Sequence, residues 1–247
     1  MRTAALAALI ASLGLTLPTT VDARSTLGRL DDSGLDESFD RHDPLRWERS
    51  HGWSNGDPFR CEWTGANAAV KRGTLTLTLS ERPTAKGGYA CAEYQTRKHY
   101  GFGRYSARIR AAREPGVVTS FLSFTGKPFG DQWDEIKMAV QGEDTHTLVL
   151  TYFVRGAVHN AATVPLPFDA AEGFHDYAFD WTPEGITWLV DGKPVHRVSG
   201  GKDEVPQAPG KIYLQVWTGE APWIAPFHDP GHPVSAQVQR VRYVPAE

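Results

Sequence analysis

Gly73-Thr-Leu-Thr-Leu-Thr-Leu-Ser80 alternates leucine with threonine without a break. Successive side chains of an extended chain point to opposite faces, so this octet puts its leucines on one face and its threonines on the other. That is the signature of a strand with one side on a core and the other on water or a ligand. Similar short segments follow: Gly103-Arg-Tyr-Ser-Ala-Arg-Ile-Arg110, Thr147-Leu-Val-Leu-Thr-Tyr-Phe-Val154, Asp176-Tyr-Ala-Phe-Asp-Trp181, Ile186-Thr-Trp-Leu-Val190 and Lys211-Ile-Tyr-Leu-Gln-Val-Trp217. Turn signals such as Gly87-Gly88 and Asp191-Gly192 separate them, and no segment holds a helical period for three turns. The pattern predicts an all-β sandwich. Pro165 and Pro167 mark an edge or a loop, because proline cannot donate to a ladder.

The chain has 247 residues, 40% hydrophobic and 22% charged, enough for one well-buried core. The formal charge is −3, with Lys and Arg scattered rather than bunched, which excludes the basic footprint that nucleic acid or an anionic membrane would need. A neutral partner and a monomeric chain are expected. With 8 Trp, 8 Tyr and 11 Phe beside 24 Gly and 17 Pro, the composition suits many strands, and its aromatic faces also suit the apolar faces of sugar rings.

Residues 1–23 read as a signal peptide: Arg2 is the charged start, Thr3 to Leu17 the apolar run and Val21-Asp22-Ala23 the cleavage region. The apolar run is too short for a membrane span of about 20 residues, so a secreted or periplasmic protein free of the membrane is expected. Residues 24–36 are polar and aperiodic and read as a linker, with one domain over residues 37–247. An exported chain with two cysteines reads as carrying one disulfide, Cys61 to Cys91. The histidines lack metal-ligand spacing.

Four stretches are more specific: Gly52-Trp-Ser-Asn-Gly56, Phe59-Arg-Cys-Glu-Trp63, Cys91-Ala-Glu-Tyr94 and Gln132-Trp-Asp-Glu-Ile136. Together with Tyr177 to Trp181, Trp188 to Gly192 and Gln215-Val-Trp-Thr-Gly219, they resemble the bacterial β-1,3-1,4-glucanases (lichenases) of glycoside hydrolase family 16, over nearly all of residues 37–243. The resemblance implies a β-jelly roll of two antiparallel sheets, the concanavalin A-like architecture, with an open concave cleft for an extended β-glucan. It also implies the Cys61–Cys91 bridge.

Retaining glycosidases need two carboxyl groups about 5–5.5 Å apart, one to attack the anomeric carbon and one to protonate the leaving oxygen. The family carries them on a strand as Glu, any, Asp, any, Glu, which period two puts on one face. Here those positions are Glu135, Lys137 and Ala139. Glu135 matches the nucleophile, Lys137 replaces the helper Asp and Ala139 replaces the acid/base Glu. Allowing a bulge before the last position substitutes Val140 and restores nothing. A lysine beside Glu135 would pair with it and compete with attack. Glu143 falls in the turn beyond the strand, and Asp134 faces away from Glu135.

Asn55, Glu93, Trp133 and Trp217 match family positions that contact sugar. Gln95 stands where an Arg is expected, and Thr151 and Phe153 where Asn and Tyr are expected, so some subsite hydrogen bonds differ. Many family members hold a calcium ion through backbone carbonyls and an Asp near the C-terminus. Gln239 occupies that Asp position, so no cofactor, or at most weak calcium binding, is expected. The reading is a secreted protein that recognises β-glucan or a related neutral polysaccharide, a possible pseudoenzyme. Its rivals are an active retaining endo-β-glucanase or transglycosylase using Glu135, and a structural partner in polysaccharide export.

Overall fold

The structure, a computed structural model, describes residues 30–84 and 87–247; the expected signal peptide lies outside them. The expected linker lies there only in part. Asp31 N donates to His99 O at 2.8 Å, and strand β1 (Leu35–Glu37) already pairs with the last strand, so the ordered fold begins before Glu37. Burial of Leu35 against that strand is what the polar composition of the segment concealed.

The remaining strands are β2 (Trp47–Arg49), β3 (Glu62–Trp63), β4 (Ala68–Lys71), β5 (Thr74–Thr84), β6 (Gly87–Thr96), β7 (Gly103–Arg110), β8 (Val117–Thr125) and β9 (Asp134–Gln141). They continue with β10 (Asp144–Val154), β11 (Ala157–Pro165), β12 (His175–Thr182), β13 (Gly185–Val190), β14 (Lys193–Ser199), β15 (Lys211–Thr218) and β16 (Val234–Pro245). Each of the six alternating segments read from sequence lies on a strand. Asp191 and Gly192 take φ of 47° and 75°, the left-handed pair that turns β13 into β14. Gly87-Gly88, expected as a turn, instead opens β6. Pro165 closes β11, an edge strand, where its missing N–H costs no ladder bond.

One layer runs β11-β10-β9-β8-β15-β6, with β2 on the far side of β6. The other runs β5-β16-β7-β12-β13-β14. Strand β5 belongs to both: Leu75 to Leu79 pair with β16, while Ser80 to Thr84 pair with β6. The alternating leucines explain the first half, since Leu75, Leu77 and Leu79 are all buried. Between the layers lie Phe121, Phe179, Tyr105 and Trp181, with Tyr105 stacked on Phe179 at 4.7 Å. The inner faces of β9 and β15 add Ile136, Met138, Val140, Ile212, Leu214 and Val216. Their opposite faces form the floor of the site.

Candidate glycan cleft and its catalytic strand

Cross-strand partners share a face, so register alone sets out the floor in rows. One row holds Glu93, Gln215, Ser120 and Ala139. The next holds Tyr213, Leu122, Lys137 and Thr151, and the third Lys211, Phe124, Glu135 and Phe153. Glu135, Lys137 and Ala139 therefore face the concave side together, while Ile136 and Met138 enter the core, as period two requires.

Glu135 is buried and both its oxygens are engaged. Trp133 Nε1 donates to Oε2 at 3.0 Å, and Lys137 Nζ lies 3.2 Å from Oε1. The same ammonium sits 5.8 Å above the centroid of Phe153. Phe153 in turn stacks on Trp133 with centroids 4.4 Å apart and ring planes within 10°. Trp133 nevertheless keeps 43% of its surface exposed.

Ala139 supplies no oxygen where the acid/base is expected. The Ser120 hydroxyl beside it accepts from Trp217 Nε1 at 3.4 Å. Glu93 shares the row but stands three strands away, about 14 Å at ordinary strand spacing, far beyond the separation that retaining chemistry needs. Glu143 is exposed in the turn after β9, where its Oε1 accepts from Ala225 N at 3.4 Å.

Two of the expected sugar contacts are buried. Glu93 is 1% exposed, with Ser50 Oγ donating to Oε1 at 2.5 Å and Gln215 Nε2 to Oε2 at 2.6 Å. Burial pushes its carboxyl up to about 7, against the two hydrogen bonds and the Lys211 charge. Gln95, in place of the expected Arg, brings no charge of its own to the cluster; its Oε1 instead accepts from Lys211 Nζ at 3.0 Å. Trp217 is 3% exposed, covered by Phe59 at 4.2 Å and Trp223 at 6.0 Å between centroids. In this structure Glu93 and Trp217 are both buried, Glu93 among Ser50, Gln95 and Gln215 and Trp217 beneath Phe59 and Trp223.

The aromatic surface that does face outward on that wall is Trp223, 50% exposed, and Trp53, 42% exposed. Neither carries a sequence signal of its own, although Trp53 lies inside Gly52-Trp-Ser-Asn-Gly56. Gln141 Nε2 donates to Trp223 O at 2.7 Å, tying this loop to the end of β9. Asn55 is exposed, and its Oδ1 accepts from Trp63 Nε1 at 2.7 Å. Phe59 faces Gly219 so closely that a Cβ there would stand 2.4 Å from Pro58 O, which makes glycine necessary. Cys61 and Cys91 are bonded, with Cα atoms 5.8 Å apart, and hold the Phe59 segment to β6.

The opposite wall hangs on Asp134, which is buried and faces away from Glu135. Its Oδ1 accepts from Arg155 N at 2.8 Å, and Oδ2 from Gln207 N at 2.8 Å and Ala208 N at 3.0 Å. Gly156 N donates to Trp133 O at 2.8 Å. A separate cavity of about 590 Å³, lined by Arg60, Tyr89, Glu220 and Phe227, includes no residue of β9.

Gln239 lies at the bulge between Val238 and Arg240 of β16. It offers an amide where a calcium site would need charge, and among the described residues no three His, Cys, Asp or Glu side chains converge.

A jelly-roll sandwich with an open aromatic cleft and an acid-bearing central strand defines a class of glycan-acting proteins. The chain belongs to Glycosyl hydrolases family 16, whose sequence profile matches residues 55–232. It is 36% identical to a beta-glucanase of Paenibacillus macerans over 200 residues, 80% of this chain and 82% of that one. A beta-glucanase of Bacillus subtilis (strain 168) is 34% identical over 210 residues, 84% of each chain. Among solved structures, a prokaryotic β-1,3-1,4-glucanase (lichenase) from a mouse hindgut metagenome superimposes with a TM-score of 0.82 at 38% identity, covering 86% of this chain and 99% of that one. The Bacillus licheniformis β-glucanase does so at 0.81 and 33%, covering 86% and 98%. Among the described residues no helix is long and apolar enough to cross a membrane.

Proposed function

We propose that this protein is exported and recognises β-glucan or a closely related neutral polysaccharide, with hydrolysis impaired. The observation that carries the reading is the catalytic strand. Lys137 occupies one oxygen of Glu135 at 3.2 Å, and Ala139 leaves no carboxyl where the proton donor belongs. A leaving sugar would have to depart as an alkoxide, and positioned proton transfer ordinarily supplies about 10²–10⁴-fold in rate. The same group would later activate water, so both half-reactions suffer. What remains suits binding: a concave floor of neutral or mutually paired side chains between walls bearing Trp133, Trp53 and Trp223.

The relatives, named beta-glucanases, support β-glucan as the ligand class. The apolar stretch at residues 3–17 supports export, to the periplasm or beyond. Calcium is expected to bind weakly at most, so its addition or chelation should leave stability unchanged. The test is to incubate the mature protein with barley β-glucan, lichenan and laminarin, measuring both reducing ends and retardation in glycan-containing gels. Retardation without product is expected. Abundant product abolished by Glu135→Gln would overturn the reading in favour of an active retaining enzyme.

A further inference from the structure

Glu135 is the one family carboxylate that survives on β9, and its contacts give a reason other than nucleophilic attack. Attack requires a carboxylate oxygen free to approach an anomeric carbon. Here Oε2 accepts the indole N–H of Trp133 at 3.0 Å and Oε1 is paired with Lys137 at 3.2 Å, in a buried position. Both contacts would weaken as attack discharged the carboxylate.

The four side chains close a circuit. Trp133 bonds to Glu135, Glu135 pairs with Lys137, Lys137 lies over Phe153, and Phe153 stacks on Trp133 at 4.4 Å. Phe124 adds an edge contact to Trp133 at 6.2 Å and 82°. Trp133 O is held by Gly156 N, and the next residue, Asp134, by three backbone N–H groups. The indole is thus fixed at its nitrogen, at one face and along its backbone, while the residue keeps 43% of its surface exposed. A ring held this way loses little freedom when a ligand stacks on it.

We propose that Glu135 is a positioning residue. With Lys137 it fixes Trp133 as a platform for one uncharged pyranose unit of a β-linked glycan. This rests on the proposed function for the ligand, but not for the anchoring of the indole. The ion pair cancels the charge of the subsite, so it favours a neutral ring over a uronate.

The test compares Glu135→Ala, Glu135→Gln and Trp133→Phe, alone and combined, by affinity for lichenan oligosaccharides and by indole emission and acrylamide quenching of the free protein. Glu135→Ala is expected to weaken affinity at least tenfold and raise quenching. Glu135→Gln, whose amide oxygen still accepts the indole N–H, should stay within about threefold of wild type. On the Trp133→Phe background, Glu135→Ala should change neither reading, because the coupling is then already lost. Unaltered affinity and unaltered quenching in Glu135→Ala would overturn the positioning role. Failure of the wild type to bind any of the glycans would instead overturn the proposed function, while the quenching comparison still decides the anchoring.

Discussion

At the scale of single residues, the proposed function rests on Lys137 and Ala139, which stand where two acids are expected. Restoring the acids with Lys137→Asp and Ala139→Glu is expected to raise reducing-end release from lichenan at least 100-fold over wild type, with Ala139→Glu alone gaining less because Lys137 still holds Glu135. Release equal to wild type in the double variant would place the lesion elsewhere, in Thr151 and Phe153 first. Glu93 sets a second expectation. Its native carboxyl, raised by burial to about 7 from an ordinary 4.5, keeps a proton that the unfolded chain gives up. Stability contributed by this group therefore falls as pH rises from about 4.5 to 7 and is flat above, by an amount of order 3 kcal/mol. Denaturant melts of wild type and Glu93→Gln between pH 4.5 and 8 check it, and the variant should lose that slope. That Glu135, Lys137 and Ala139 share a face, with Lys137 beside Glu135, was readable in the sequence, because period two fixes which residues share a face. The burial of Glu93 and Trp217 was not, since Glu93 is enclosed by Ser50, Gln95 and Gln215 from three segments and Trp217 by Phe59 and Trp223 from two loops.

At the scale of elements, β9 holds the cleft together through the side chain that faces away from the chemistry. Asp134 joins the β10–β11 turn and the Gln207-Ala208 loop to the strand that carries Glu135. Asp134→Ala leaves three N–H groups without this acceptor and is expected to cost at least about 3 kcal/mol in urea unfolding, with glycan affinity falling in the same variant as Trp133 loosens. Asp134→Asn, which keeps an acceptor oxygen, should cost less. A loss under about 1 kcal/mol in the alanine variant would show that water satisfies these groups instead. The existence of the long strands was legible because alternation runs through eight residues or more, as in β5 and β7. Strands β1 to β3, of two or three residues, carry no period at all and owe their form to the longer strands they pair with. The sequence marks Asp134 as facing away from Glu135, yet its three partners come from segments 21 to 74 residues distant, and no local pattern announces them.

At the scale of the whole molecule, the Cys61–Cys91 bond closes a separation of 30 residues and anchors the segment that carries Phe59 over Trp217. Replacing both cysteines with serine is expected to lower unfolding free energy by about 3–4 kcal/mol on the chain-entropy account. Affinity for glycan should fall as well, as the Trp53 and Trp223 wall loses its support, read in the same gels. Intact affinity would show that the wall stands without the bridge, on backbone pairings such as Arg60 N to Thr218 O and Glu220 N to Pro58 O. Strand β5 has a wider consequence. Because its first half is stitched to one layer and its second half to the other, the two layers cannot slide past each other. The join between the layers thus runs through Leu75, Leu77, Leu79 and the strand that carries them, none of which lines the floor of the groove. A lineage could exchange its acids for lysine and alanine and inherit the shape intact, so that chemistry and form are free to evolve on separate clocks.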